Sequence, residues 1–225
     1  SLHFTRIILK EANLPVLFFT LEMSREQIMY RLLTLESRLS FRKLKTGELF
    51  ENDWIKFNQA AKVLSKFPLF INDTTNLSIQ EIRSSIRKIY FDNQKLGLVI
   101  IDYLQLIQNF KTNDSKLNRV DQLSQITKSL KLLAREFDIP IIALSQLSRN
   151  VEKRNNQKPI LSDLRDSGSI EQDADLVIML SQNSQTNRQD FDAVELTIAK
   201  HRNGPTGQVG LRFDKKLMRF SPLIN

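Results

Sequence analysis

Five short apolar runs constrain this chain more than any other feature. They are VLFFTL (16–21), PLFIND (68–73), GLVIID (97–102), PIIALS (140–145) and DLVIML (175–180). A continuous apolar run of this length, as opposed to an alternating one, is what a strand covered on both faces requires. Helical patterns separate the runs. Strands alternating with helices join through right-handed crossovers into a parallel sheet.

The helices announce themselves locally. Residues 1–12 read as helix, with Leu2, Ile7, Ile8 and Leu9 roughly on one face and Pro15 beyond its end. Ser24 with Gln27, and Ser78 with Glu81, have the spacing of capping boxes; they open helices running to about Arg38 and Phe91. Further helices are expected at 51–66 and 115–137, the latter with Leu123, Ile126, Leu130 and Leu133 on its apolar stripe. Residues 146–169 read as polar loop with one helical turn. VELTIA (194–199), GQVGLRF (207–213) and LMRF (217–220) read as antiparallel strands added to the end of the parallel sheet. There is no internal repeat or long low-complexity linker. Residues 1–225 therefore read as one α/β domain.

Composition narrows the function classes. The 225 residues carry a net charge of +8, which favours a polyanionic partner, although a basic soluble surface alone would also account for it. There is no Cys, hence no disulfide framework or thiolate metal site, and the two His residues, His3 and His201, are too few for a His-based zinc site. No apolar run approaches the ~20 residues of a membrane span. No signal peptide is visible, so an intracellular location is expected.

In a parallel α/β sheet, ligands bind outside the carboxyl ends of the strands. The polar residues just past the apolar runs are therefore the candidates. Glu22 follows the first run, Asp102 ends the third and Gln146 follows the fourth. Asp102 either caps a turn or holds a hard cation beside a triphosphate, directly or through water. Glu22 is either a solvated carboxylate before a helix or a general base for an attacking water. Gln146 is either a plain loop residue or a hydrogen-bond partner of a terminal phosphate. In AKHRNGPTG (199–207), Lys200 and Arg202 share one strand face before a tight turn. They form an ordinary basic hairpin, a phosphate clamp or an arginine finger reaching into a neighbour's site. DLRDSGSIEQDAD (163–175) is either a solvated loop or a phosphate-binding segment built on Arg165 and the backbone around Gly168.

Taken in order, TLEMS, VIIDYLQLI, ALSQLSR, LSDLRDSGSIEQDADLVIML and AKHRNGPTG closely resemble the RecA-like motor domain of the DnaB family of replicative DNA helicases, from Ser1 to about Phe220. The resemblance implies a ring hexamer that moves on single-stranded DNA and unwinds forked duplex with ATP and Mg²⁺, with primase and a helicase loader as partners and no membrane. It implies Glu22 as the catalytic glutamate and Asp102 as the Walker B aspartate that holds Mg²⁺ through water. It implies Gln146 as the γ-phosphate sensor, and Arg202 with Lys200 as cations acting in the adjacent subunit's site. Arg165, Asp166 and Gly168 fall in the DNA-binding loop; the family's usual residue at Asp166 is Glu.

One departure stands out. The family's G-x-x-x-x-G-K-S/T loop, whose Lys and hydroxyl hold phosphates and Mg²⁺, and the strand before it are absent from these 225 residues. In family register Ser1 falls directly after that loop, so it counts among the ATP-binding residues, and the chain as written is expected to bind ATP poorly by itself. Some family members carry an intein at this place. Splicing needs Ser, Thr or Cys as the first residue after the intein, and Ser1 fits that role as well as that of an arbitrary boundary. Intein-bearing members include plastid-encoded copies, and the composition rich in Asn, Lys and Ile points the same way. The expected location is therefore the plastid stroma, with bacterial cytoplasm as the alternative. Two other functions remain open at this level: a non-enzymatic DNA-binding or assembly fragment, and a RecA-like recombinase.

Overall fold

The computed structural model describes residues 1–108, 119–148, 151, 154, 158–164, 168–182 and 191–223. Four parallel strands form the first sheet: β1 (Val16–Thr20), β2 (Leu69–Asn72), β3 (Leu98–Asp102) and β4 (Ile141–Ala143), in the order β2-β1-β3-β4. All four are among the expected apolar runs. The capped helices are also present. Ser24 and Gln27 close a reciprocal capping box on α2 (Arg25–Ser37), and Ser78 and Glu81 close another on α5 (Ile79–Asn93).

Alternate residues of β1 serve two cores. Val16 and Phe18 point to one face with Leu98 and Ile100 of β3, where Leu9, Ile28, Leu32 and Leu64 cover them. These come from the first helix, from α2 and from α4 (Glu51–Leu64). Leu17 and Phe19 point to the other face with Val99 and Ile101, beneath Ile82, Ile86 and Ile89 of α5 and Ile126, Leu130 and Leu133 of α6 (Arg119–Glu136). Phe18 and Phe19 are both fully buried. Each such side chain contributes about 1.5–3 kcal/mol on burial. This double coverage explains why β1 could not alternate with polar residues.

Several details differ from the sequence expectation. The first helix is α-helical only over α1 (Leu2–Ile7) and continues as a π-helical turn (Ile8–Ala12) that Asn13 ends in the left-handed region. An unexpected helix, α3 (Phe41–Thr46), is bounded by Ser40, whose side chain accepts from the Lys43 amide, and by Gly47 at φ 74. Six residues are too few to show helical periodicity, so only its caps were there to be read. Between α5 and β3, Gly97 passes so close to Leu14 that a Cβ would stand 2.5 Å from the leucine Cβ.

The antiparallel strands form their own sheet and do not extend the first. β5 (Leu176–Gln182), β6 (Phe191–His201), β7 (Gly207–Asp214) and β8 (Arg219–Pro222) pair in sequence order, with a register shift between Val177 and Ile178. β5 pairs with β6 alone among the described strands, and its outward residues Leu176, Ile178 and Leu180 are 45%, 40% and 51% exposed. Among its described residues, the polar stretch before β5 includes a 3₁₀ turn (Leu161–Asp163) and the short helix α7 (Gly168–Asp173). No helix among the described residues is long and apolar enough to cross a membrane.

Candidate nucleotide and phosphate site

The strand order reverses between β1 and β3. From β1 the chain crosses outward to β2, then returns past β1 to β3. Such a switch point opens a crevice beyond the carboxyl ends of the two strands. Glu22 and Asp102 stand there, and Gln146 follows the next strand, β4. The three residues singled out in the sequence are thus delivered to one edge by three neighbouring strands.

Backbone pairing fixes the two carboxylates relative to each other. Thr20 and Asp102 are register partners, and the Leu21 amide donates to the Asp102 carbonyl at 2.8 Å. The Thr20 hydroxyl donates to the Met23 carbonyl at 2.8 Å and accepts from the Met23 amide at 3.3 Å, closing the tight turn that presents Glu22. Burial, reinforced by the negative charge of Glu22, holds the Asp102 carboxyl above the usual carboxylate range, while Arg31 pulls it back. Ser1, at the head of α1, shares this edge with the two carboxylates.

An acidic, half-buried edge of this kind fits a hard cation with attached phosphates. Mg²⁺ commonly takes one or two protein carboxylates and completes its octahedron with phosphate oxygens and water. No group of three or more His, Cys, Asp or Glu among the described residues forms an all-protein cage. Asp102, with Glu22 beside it, is where such a cation could be held.

Sequence reasoning missed two contributors. Gln105 stitches the segments after β3 and β4 together: its Nε2 donates to Ser145 Oγ at 2.9 Å, and its Oε1 accepts from the Gln146 amide at 3.4 Å. Arg31 on α2 brings a cation into the field of Asp102, and its Nε is buried without a hydrogen-bond partner. Gln105 lies three residues past Asp102, a hint at the sequence level; Arg31 carries no local signal.

Lys200 and Arg202 do share one face, as their spacing requires, but in this chain they bind α7 and not the carboxylate edge. Lys200 Nζ donates to the carbonyls of Glu171 at 2.6 Å and Gln172 at 3.3 Å. Arg202 donates to the Gln172 carbonyl at 3.2 Å and to Asp175 Oδ1 at 3.1 Å. Of the proposed DNA-binding residues, Gly168 begins α7 with open space where a Cβ would stand. Arg165 and Asp166 lie outside the described residues.

A doubly wound parallel domain with carboxylates at its switch point belongs to the class of α/β proteins that bind ligands beyond the carboxyl ends of their strands. Comparison with known proteins narrows it. The family model for the DnaB-like helicase C terminal domain matches residues 1–222. The chain is 53% identical over 222 residues to a probable replicative DNA helicase of Trieres chinensis, covering 96% of this chain and 48% of the relative. It is 42% identical to the replicative DNA helicase DnaB of Geobacillus stearothermophilus, covering 98% of this chain and again 48% of the relative. A solved DnaB-like replicative helicase, described with its interactions with primase, superposes with a TM-score of 0.87 at 37% identity, over 95% of this chain and 52% of that one. The chain belongs to the DnaB-like helicase C-terminal domain family. It spans about half the length of the curated relatives it matches.

Proposed function

We propose that this chain, residues 1–225, is part of the motor domain of a ring-shaped, ATP-dependent replicative helicase and hydrolyses ATP when joined to the phosphate-binding loop that these residues lack. The complete protein would form a homo-hexamer that moves on single-stranded DNA and unwinds the duplex at a replication fork. The observation that carries the reading is the register pairing of Thr20 with Asp102 at the switch point, which sets Glu22 beside Asp102, with Gln146 following the adjoining strand. In this reading the Glu22 carboxylate takes a proton from the attacking water. Asp102 orients the hydrated Mg²⁺, which when bound neutralises charge on the transferring phosphoryl group. The Gln146 amide hydrogen-bonds the terminal phosphate, and Gln105 fixes its backbone. Ser1 lies beside the phosphates at the head of α1. Lys200 and Arg202 act on the nucleotide of the neighbouring copy, which makes oligomerisation part of catalysis. Arg165, Asp166 and Gly168 contact the DNA backbone. Primase and a helicase loader are the proposed protein partners; primase draws support from the solved relative described with it. Relatives in Trieres chinensis and in bacteria are compatible with the plastid stroma or with bacterial cytoplasm.

The test is ATP turnover and fork unwinding by the complete natural protein. DNA-stimulated hydrolysis with unwinding is expected. DNA binding without hydrolysis would assign the chain to a non-enzymatic module, and strand exchange without unwinding would assign it to a recombinase.

A further inference from the structure

Asp175 is the carboxylate on which one candidate trans-acting cation, Arg202, converges with Lys131 of α6, and nothing in the switch-point chemistry uses it. It stands between α7 and β5. Its backbone carbonyl accepts from the Arg202 amide at 2.8 Å and its Oδ1 accepts from Arg202 Nη1 at 3.1 Å. Its Oδ2 accepts from Lys131 Nζ on α6. One carboxylate thus carries two cations. The surplus positive charge does not disperse, because the last turn of α7 supplies the remaining acceptors. The carbonyls of Glu171 and Gln172, among the four that a helix end leaves without intrahelical partners, take Lys200 and Arg202 instead of water. α7 itself is pinned to α6, since Thr127 Oγ1 donates to Asp173 Oδ2 at 2.5 Å and Ile170 is buried.

The arrangement has a defined asymmetry. The Lys131 side chain is the less exposed of the two partners of Asp175, at 23% against 46% for Arg202. If Arg202 leaves, Asp175 keeps Lys131 and no half-buried carboxylate is stranded. Arg202 loses one shared ion pair and one carbonyl, both replaceable by a phosphoryl oxygen in bidentate geometry.

We propose that Asp175 is a positioning residue: with the last turn of α7 it seats Lys200 and Arg202 so that Arg202 can exchange its seat for a phosphoryl oxygen of a neighbouring copy's nucleotide, while Lys131 retains the carboxylate. This rests on the proposed helicase reading, in which Arg202 acts in trans. Asp175 touches no substrate; it acts through Arg202.

The experiment uses the complete protein and ATP with single-stranded DNA. Asp175→Asn keeps the size and the backbone acceptor but removes the charge. It is expected to lower kcat by about 10–100-fold, as misplacement of a positioned group does, with KM for ATP unchanged, and Asp175→Glu should restore most of the loss. The decisive readout is complementation. A mixture of Asp175→Asn and Glu22→Gln subunits should turn over faster than either homogeneous ring, because each intact site then meets an intact cation pair from its neighbour. A mixture no faster than the mean of its parts overturns the proposal, as does an Asp175→Asn ring with wild-type kcat. If Asp175→Asn rings do not assemble, Lys131→Met provides the second variant. It should lower kcat in the same sense and complement Glu22→Gln in the same way, and its failure to complement overturns the proposal equally. Should Glu22→Gln retain full turnover, the helicase reading fails. A dead Glu22→Gln ring beside a fully active Asp175→Asn ring removes only the seat.

Discussion

Thr20 and Asp102 are register partners at the carboxyl ends of β1 and β3, so the turn carrying Glu22 leaves the sheet directly beside Asp102. The two carboxylates are held by strand pairing and not by a flexible loop. The charge of Glu22 raises the cost of ionising Asp102. The predictions below follow from that adjacency and from the cations on the second sheet.

Replacing Glu22 by Gln in the complete protein keeps the turn but removes the base. Hydrolysis should fall by about 10²–10⁴-fold, the usual contribution of a positioned general base, while nucleotide binding persists. Parallel turnover and equilibrium-binding measurements check this. Turnover at the wild-type rate would remove Glu22 from the role.

Asp102 makes stability depend on pH in a stated direction. Its carboxyl is raised in the folded chain, chiefly by burial and then by Glu22. Its contribution is therefore most favourable below the ordinary carboxylate pKa and is lost as pH rises through the raised folded value. Asp102→Asn should increase Tm at neutral pH in the absence of nucleotide, and the gain should vanish as the buffer is taken below the carboxylate range. Thermal melts across pH 3–8 test this; a pH-independent difference would contradict the electrostatic cause.

Arg202→Ala should cost about 10³–10⁵ in turnover if it acts as an arginine finger. The loss should appear in assembled rings, and mixing Arg202→Ala with Glu22→Gln subunits should give turnover above either homogeneous ring; a mixture with no such gain would place its action within its own subunit.

Arg165→Ala should weaken single-stranded DNA binding and make it less sensitive to salt. Loss of one phosphate contact lowers the slope of log K against log salt by about 0.7 for single strands. Binding isotherms at several salt concentrations measure the slope, and an unchanged slope would argue against backbone contact.

Much of this architecture is legible in the sequence for a physical reason. A strand buried on both faces must be apolar throughout, so Glu22 and Asp102 mark the ends of β1 and β3 simply by being polar. Ser24 and Ser78 are equally legible, because a capping box is a contact between residues three apart. What was hidden depends on distant partners. Gln105 reaches Ser145, forty positions on, and Asp175 collects Lys131 from one helix and Arg202 from the turn after a later strand. No local pattern encodes such a meeting. The division into two sheets was hidden for the same reason, since the composition of β5 does not say which neighbour it pairs with.

The outward row of Leu176, Ile178 and Leu180 on β5 has a colloidal consequence. An apolar row on a strand paired along one side only is a template for another extended chain. At the concentrations used for expression and purification, two copies of this 225-residue chain meeting at β5 would lengthen each other's sheet. Loss of material to inclusion bodies should therefore track this row more than the net charge. A single lysine in place of Ile178 should keep the free chain in solution where added salt or a lower temperature does not.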